Sequence, residues 1–297
     1  MNGGKMFQGK NSKPDLKYIK DKAMAIRKDI LEMLNAAGSG HPGGSLSAAD
    51  FFAALYFAEL RHDPKNPKWP DRDRVFLSKG HACPVLYATL AESGYFPVPE
   101  LLTLRKLHSR LQGHPHMLKT PGVEISAGSL GQGLGIANGT AMGLKMDGSD
   151  SRVFCVMGDG ELQEGSVWEA IMTSAHRKLD NIVAWVDYNN LQIDGKVEDV
   201  KGVAPLAEKF RAFNWHVIEI DGHSIEETLK AFKEARGTKG KPTMIVARTE
   251  KGRGVCFMEN KPEWHGVAPN KEQLEEALKG LCVVEGPSKS QIENADA

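Results

Sequence analysis

The stretch VFCVMGDGELQEGSVWEAIMTSAHRKLDNIVAWVDYNN, residues 153–190, decides the fold. It opens on Val153-Phe154-Cys155-Val156-Met157, and near its end lies Ile182-Val183-Ala184-Trp185-Val186. Short apolar runs without alternation suit strands buried on both faces, as in a parallel sheet. Between them the spacing predicts a helix over 164–178, with Val167, Ile171, Met172 and Ala175 on one stripe. His176-Arg177-Lys178 at its end complement the negative pole of the helix dipole. Strand, helix and strand form a β-α-β unit, whose crossover is expected to be right-handed.

Working outward, Trp215 to Ile218, a helix from Ile225 to Arg236 and the run Met244 to Ala247 read as a second β-α-β unit. Towards the N-terminus, Ile19, Ala23, Ile26, Ile30 and Leu34 give one apolar face to a helix over 15–36. A Gly-rich loop over 38–44 precedes a helix expected from about Ser47 to Leu60. A Pro-rich loop, a short strand over 75–78 and a helix carrying Val85, Leu86 and Leu90 follow. No internal repeat is visible. The expected architecture is a single α/β domain over 15–281, with a mostly parallel central sheet and helices on both faces. Residues 1–14 are expected to be a flexible start and 282–297 a polar tail.

Whole-chain figures narrow the function. The 297 residues carry 38 Lys and Arg against 38 Asp and Glu, so no excess of cations is available for nucleic acid. Hydrophobic residues at 41% and charged residues at 26% are ordinary for a globular protein. No run approaches the roughly 20 apolar residues of a membrane span, and the opening residues lack the apolar core of a secretory leader. Cys83, Cys155, Cys256 and Cys282 are scattered, which suggests reduced thiols in the cytoplasm.

The chemistry sits where the strands end. Gly158-Asp159-Gly160 follows the first run of the deciding stretch, and Asp187-Tyr188-Asn189-Asn190 follows the second. In an open parallel sheet the carboxyl ends of strands line the ligand crevice. If these strands are neighbours, the Asp159 carboxylate and the Asn189 amide oxygen converge, and a carbonyl such as that of Leu191 adds a third oxygen. Mg²⁺ takes about six oxygens, commonly a carboxylate or two plus phosphate oxygens. Gly158 and Gly160 let backbone approach a phosphate, and the following helix N-terminus offers free N–H groups. A G-D-G alone is more often a turn. The Asn pair at the matching strand end turns the reading towards a metal–phosphate site. No G-x-G-x-x-G is present, because Ile136 stands where the third glycine of Gly131-Gln132-Gly133 belongs, and no P-loop motif occurs. His41, His81, His114 and His265 lie in Gly-rich or loop contexts and together suggest proton-transfer and phosphate-contacting groups. His62, His108, His116, His176, His216 and His223 carry no such context.

These residues resemble the thiamine diphosphate fingerprint, G-D-G followed some thirty residues later by N-N. SGHPGGSLS, LSKGHACPVLYATLAESGYF, LQGHP, PGVEISAGSLGQGLGIANG, GDGELQEGSVWEA, DYNNLQIDG and WHGVAP narrow the resemblance to transketolase, in the same order. It covers about residues 16–279 and only the amino-terminal third expected of a full-length transketolase. Ser129 and His116 depart from the family's usual residues.

The resemblance implies thiamine diphosphate with Mg²⁺, Ca²⁺ or Mn²⁺ also being acceptable oxygen-seeking ions. It implies Asp159, Asn189 and the Leu191 carbonyl as metal ligands. It places Gly158, Gly160, Asn189, His81 and His265 around the diphosphate, and Gly128 and Leu130 near the thiazolium and pyrimidine. His41, His114 and His265 would reach the sugar, and Glu164 matches an acid used at the subunit interface in cofactor-linked proton sharing. With the diphosphate near −3 and the ion +2, Asp159 leaves a residual of about −2. His81, His265 and helix N–H dipoles are expected to offset it, without Lys or Arg in the motif.

The family's pyrimidine-binding domain has no counterpart here, so the resemblance implies the N-terminal subunit of a split transketolase. Such a subunit would work in an α₂β₂ heterotetramer with a C-terminal transketolase subunit. The implied reaction moves a two-carbon ketol unit between sugar phosphates in pentose phosphate metabolism. A related ketol transferase for another sugar, a non-catalytic regulatory subunit of the same fold and a generic Mg²⁺–phosphate-binding protein are the alternatives. Intact Asp159, Asn189 and loop histidines speak against decay to a regulatory role.

Overall fold

The computed structural model describes residues 15–281. The expectations for 1–14, 282–297 and Cys282 lie outside the described residues. Helix α1 (Leu16–Ala37) is capped by the Asp15 side chain, which accepts from the Tyr18 N–H at 3.2 Å. It stops at Gly38, whose φ of 66° closes the last turn. Its apolar face is the one read from the spacing, from Ile19 to Leu34.

The Gly-rich loop expected over 38–44 runs into a short helix, α2 (Pro42–Leu46), and the helix expected over 47–60 forms as α3 (Ala49–Ala54) continued by a π-helical turn over Leu55–Glu59. Pro42 starts α2, where a missing N–H costs nothing. The break between α2 and α3 falls at Ser47, whose hydroxyl donates 2.6 Å to the Asp187 carboxylate and pins the junction to the sheet. Strand β1 (Arg74–Leu77) and α4 (Cys83–Glu92) follow, then α5 (Gly133–Met146), β2 (Val153–Gly158), α6 (Gly165–His176) and β3 (Ile182–Tyr188). A hairpin of β4 (Leu191–Gln192) and β5 (Gly195–Lys196) leads into α7 (Val197–Lys201) and α8 (Leu206–Ala212). Last come β6 (His216–Asp221), α9 (Ile225–Gly237), β7 (Thr243–Arg248) and α10 (Lys271–Gly280).

The main sheet runs β1-β2-β3-β7-β6, with every pairing parallel. Register sets Val153 beside Ile182 and Gly158 beside Asp187, so the strands of the deciding stretch are direct neighbours. Strand residues alternate between two cores. Phe154, Val156, Val183 and Trp185 pack with α1, α3, α4 and α9 on one face. Val153, Cys155, Ile182 and Ala184 pack with α5, α6 and α8 on the other. Trp185 stacks on Phe51 at 4.2 Å between ring centres. Burial on both faces is the physical reason these runs lack polar alternation.

Helix α5 is hidden in the sequence. Gly133, Gly135, Gly139 and Gly143 fall within it, and glycine costs roughly 1 kcal/mol per position in a helix interior. Tertiary contact supplies the reason at its first residue. A side chain on Gly133 would collide with Ser78 at the end of β1, whose hydroxyl accepts the Gly133 N–H at 3.1 Å. The predicted helix over 164–178 begins one residue later, and residues 160–163 form a 3₁₀ turn in front of it.

Candidate functional site

A cavity of about 330 Å³ opens at the carboxyl ends of β1, β2 and β3. It gathers His41, His81, Gly128, Leu130, Gly158, Asp159, Gly160, Glu164, Asn189, Leu191 and His265 from six separate segments of chain. His114 stands outside the cavity, with its ring 3.9 Å from where a side chain on Gly128 would begin. Glu164 is exposed at the start of α6. Gly131 is close behind it: a Cβ there would meet the Glu164 side chain at 2.7 Å, and the glycine's φ is 82°. Only glycine fits that turn without strain.

The two strand ends are tied together by backbone. Asp159 accepts the Gly160 N–H at 2.8 Å through one oxygen and the Asn190 N–H through the other. Asn189 accepts the Leu191 N–H at 3.1 Å on its amide oxygen and donates 3.2 Å to Asp187. The Leu191 carbonyl accepts from the Lys251 ammonium at 3.0 Å. Lys251 also donates to His265 Nδ1 at 2.7 Å.

Below this surface lie acids that no motif singled out. Asp187 is fully buried and pairs with Lys79, while Ser47, Thr249 and Asn189 donate to the same carboxylate. Burial works to raise its pKa, but Lys79 and the hydroxyls outweigh it and hold it below the ordinary value. Glu161 accepts from the Ser78 hydroxyl, the Gly131 N–H at 2.9 Å and the Gly158 N–H at 3.1 Å. It therefore clamps the ends of β1 and β2 to the glycine loop, and burial raises its pKa.

Electrostatics here separate neutral groups from charged ones. Burial and then Arg105 hold His41 near a pKa of about 4; burial and then Lys251 hold His265 near about 3. Burial and then Lys79 push His81 well below its ordinary value. The three rings lie 5.2–5.5 Å apart between centres and are neutral at pH 7. They offer hydrogen bonds rather than charge. The positive charge comes from Lys79 and Lys251, both buried in the cavity wall. Each lies just past a strand of the parallel sheet, the position that also selects Asp159 and Asn189.

The donor set fits a hard divalent cation. Among the described residues no three of His, Cys, Asp and Glu cluster as a metal site. The converging groups are one carboxylate, one amide oxygen and one carbonyl, the oxygen donors Mg²⁺ accepts. Asp159 is buried and forms no ion pair among the described residues, and burial followed by Asp187 raises its pKa to about 7. A cation beside it would restore the ordinary range. His41 Nδ1 is likewise buried without a hydrogen-bond partner among the described residues.

Strand ends, glycine loop and oxygen donors thus define an α/β domain whose strand-end cavity carries the donors that an anion and a hard cation would need. Residues 19–287 match the family profile described as transketolase, thiamine diphosphate binding domain. The chain is 44% identical over 263 residues to 6-deoxy-6-sulfo-D-fructose transketolase subunit SqwG of Clostridium sp. (strain MSTE9), covering 89% of this chain and 96% of that one. It is 41% identical over 253 residues to an apulose-4-phosphate transketolase subunit of Phocaeicola vulgatus, covering 85% and 90%. The transketolase structure from Campylobacter jejuni superposes with a TM-score of 0.85 at 34% identity, covering 94% of this chain and 46% of that chain. The chain belongs to the transketolase family, in its thiamine diphosphate binding domain. It spans nearer half than a third of the C. jejuni enzyme's length. Among the described residues no helix is long and apolar enough to cross a membrane.

Proposed function

We propose that this chain is the diphosphate-binding subunit of a two-chain transketolase, acting from a single domain over 15–281. The observation that carries the reading is the match along 96% of a relative that is itself named a transketolase subunit. Its partner would supply the pyrimidine-binding and C-terminal domains, in an α₂β₂ assembly with the reacting centre between chains. The free thiols at Cys83, Cys155 and Cys256 support a reducing, cytoplasmic setting.

In this reading Asp159, Asn189 and the Leu191 carbonyl hold Mg²⁺, or Ca²⁺ or Mn²⁺ in its place. Lys251, which donates to the Leu191 carbonyl, would place its ammonium beside the diphosphate. Gly158, Gly160, His81 and Lys79 complete the cradle, and Gly128 and Leu130 flank the rings. Thiamine diphosphate supplies an electron sink for cleavage beside a ketose carbonyl, and the protein supplies binding, orientation and electrostatics. His41, His265 and His114, as neutral imidazoles, bind sugar hydroxyls and move protons between them and the carbonyl oxygen. Glu164 faces the partner at the start of α6. The buried pair of Lys79 and Asp187 fixes the floor on which these groups stand.

The transfer moves a two-carbon ketol unit from a ketose phosphate to an aldose phosphate. A second reading, transfer to or from a sulfosugar or a branched sugar, is favoured by the names of the two subunit relatives. The test is to assay ketol transfer with thiamine diphosphate and Mg²⁺, using this chain alone and then mixed with a chain carrying the pyrimidine-binding half. The expected result is activity only on mixing. Full activity from this chain alone would overturn the two-chain reading.

A further inference from the structure

Lys251 reaches the cofactor cavity from a loop that follows β7, and buried side chains outside the cavity hold that loop. Arg27 of α1 pairs with Asp50 of α3 through both terminal nitrogens, at 2.8 and 2.5 Å. Asp50 also lies 2.9 Å from His223 Nδ1, and His223 Nε2 accepts the Glu250 N–H at 2.8 Å. Glu250 directly precedes Lys251. The side chains of Arg27, Asp50 and His223 are 1%, 8% and 6% exposed, so the row is closed to bulk water.

Chemistry fixes the proton in this row. A backbone N–H can only donate, so His223 Nε2 accepts and carries no hydrogen. The ring hydrogen is then on Nδ1, which donates to the Asp50 carboxylate. Asp50 thereby holds the imidazole in one tautomer, and Arg27 holds Asp50. The topology explains why the row ends at the lysine. His223 follows β6, and Lys251 follows β7, its parallel neighbour. The Gly222 N–H donates to the Arg248 carbonyl at 2.8 Å, and a Cβ on Gly222 would meet the Thr249 side chain at 2.4 Å. The two strand-end loops are therefore in close contact. Beyond the lysine, the Gly252 N–H donates to the Gly43 carbonyl at 3.0 Å, and Arg27 Nε donates to the Arg253 carbonyl at 3.2 Å. Lys251 is thus held on both flanks, while its ammonium reaches the Leu191 carbonyl and His265.

We propose that His223 is a positioning residue for the cofactor site. Backed by Asp50, it fixes the Glu250 N–H and through that bond the place of the Lys251 ammonium. His223 itself does not line the cavity. Without the imidazole acceptor the buried Glu250 N–H is left unpaired or the loop moves to find another partner. The consequence for binding rests on the reading of Lys251 as a diphosphate contact; the consequence for the loop does not.

The experiment has one arm without cofactor and one with it. In the unliganded parent chain, nitrogen NMR should show His223 protonated at Nδ1 and bare at Nε2; the opposite tautomer overturns the proposal without any variant. In His223→Ala the Glu250 amide should exchange about tenfold faster or more, and the Lys251 ε-methylene resonance should shift. His223→Gln, which keeps an acceptor oxygen near the Nε2 position, should restore both. An unmoved Lys251 resonance in His223→Ala overturns the positioning role. In the second arm, calorimetry with thiamine diphosphate and Mg²⁺ should show about tenfold weaker binding in His223→Ala, and no further loss when the same change is made in Lys251→Met. An equal loss in both backgrounds makes His223 a general support of the fold and overturns the proposal. Unchanged affinity in Lys251→Met alone overturns the cofactor role of Lys251, and the resonances of the unliganded chain then decide the role of His223 independently.

Discussion

At the floor of the cofactor pocket, Asp187 is fully buried and takes hydrogen bonds from Lys79, Ser47, Thr249 and Asn189. At the rim, Arg105, Lys106 and Lys119 stand exposed with no acid beside them in the neighbouring cavity that they line with His114. The difference follows from solvent. A buried charge must be paired and hydrogen-bonded or it costs several kcal/mol, so floor charges satisfy one another and serve position. A solvated charge at the rim carries no such obligation and stays hydrated. Asp159 is the intermediate case: buried like the floor, but without an ion pair among the described residues, as the proposed cation site would require.

The largest expected effect breaks the floor. Asp187→Ala leaves the Lys79 ammonium buried without its counter-charge, and stability should fall by about 3–5 kcal/mol in urea unfolding. A loss under about 1 kcal/mol would show that the pair is not the anchor described. Next comes Asp159→Ala, which should cost about a hundredfold or more in Mg²⁺-dependent affinity for thiamine diphosphate, about 2.7 kcal/mol. Its unfolding midpoint should fall less than that of Asp187→Ala, because Asp159 gives up two backbone hydrogen bonds and no ion pair among the described residues. A lowered midpoint with unchanged affinity would place Asp159 with the structural acids.

A third carboxyl, remote from the pocket, sharpens the contrast. Asp29 on α1 is buried, and burial, then Glu92 and Glu32, raise its pKa to about 7. The folded state then holds the proton more tightly than the unfolded chain, whose Asp titrates near 3.8. Stability contributed at low pH is therefore lost as pH rises from about 4 to about 7, and the deficit persists above that range. Asp29→Asn should raise stability at pH 8 by about 1–2 kcal/mol after solvent screening, with little change at pH 4. Unfolding curves at the two pH values check this, and a gain only at pH 4 would reverse the sign. The smallest effect belongs to the rim. Lys106→Ala/Lys119→Ala should leave stability within about 0.5 kcal/mol, as measured by the same unfolding curves.

What could be read from the residues follows the range of the interactions. Runs such as Val153 to Met157 are local, and so is the G-D-G that follows; their burial and strand-end position are legible without the rest of the chain. Lys79 and Lys251 are not, because their partners arrive through the sheet. Lys79 meets Asp187 across 108 positions, and Lys251 meets the Leu191 carbonyl across 60. A usable signal existed, since both lysines closely follow parallel strands. Helix α5 is obscured by its glycines, of which close contact with another segment explains Gly133, against Ser78. Arg105, Lys106 and Lys119 sit on irregular backbone, where charge has no period to betray a common cavity.

The central claim is that this chain builds a joint diphosphate and metal site at the ends of β2 and β3. Calorimetric titration of the purified chain with thiamine diphosphate, with Mg²⁺ and then with chelator, tests it most directly, with ATP as the control anion. Saturable binding of thiamine diphosphate that requires Mg²⁺ and exceeds that of ATP is the predicted result. Binding that survives the chelator, or equal binding of ATP, would contradict the claim.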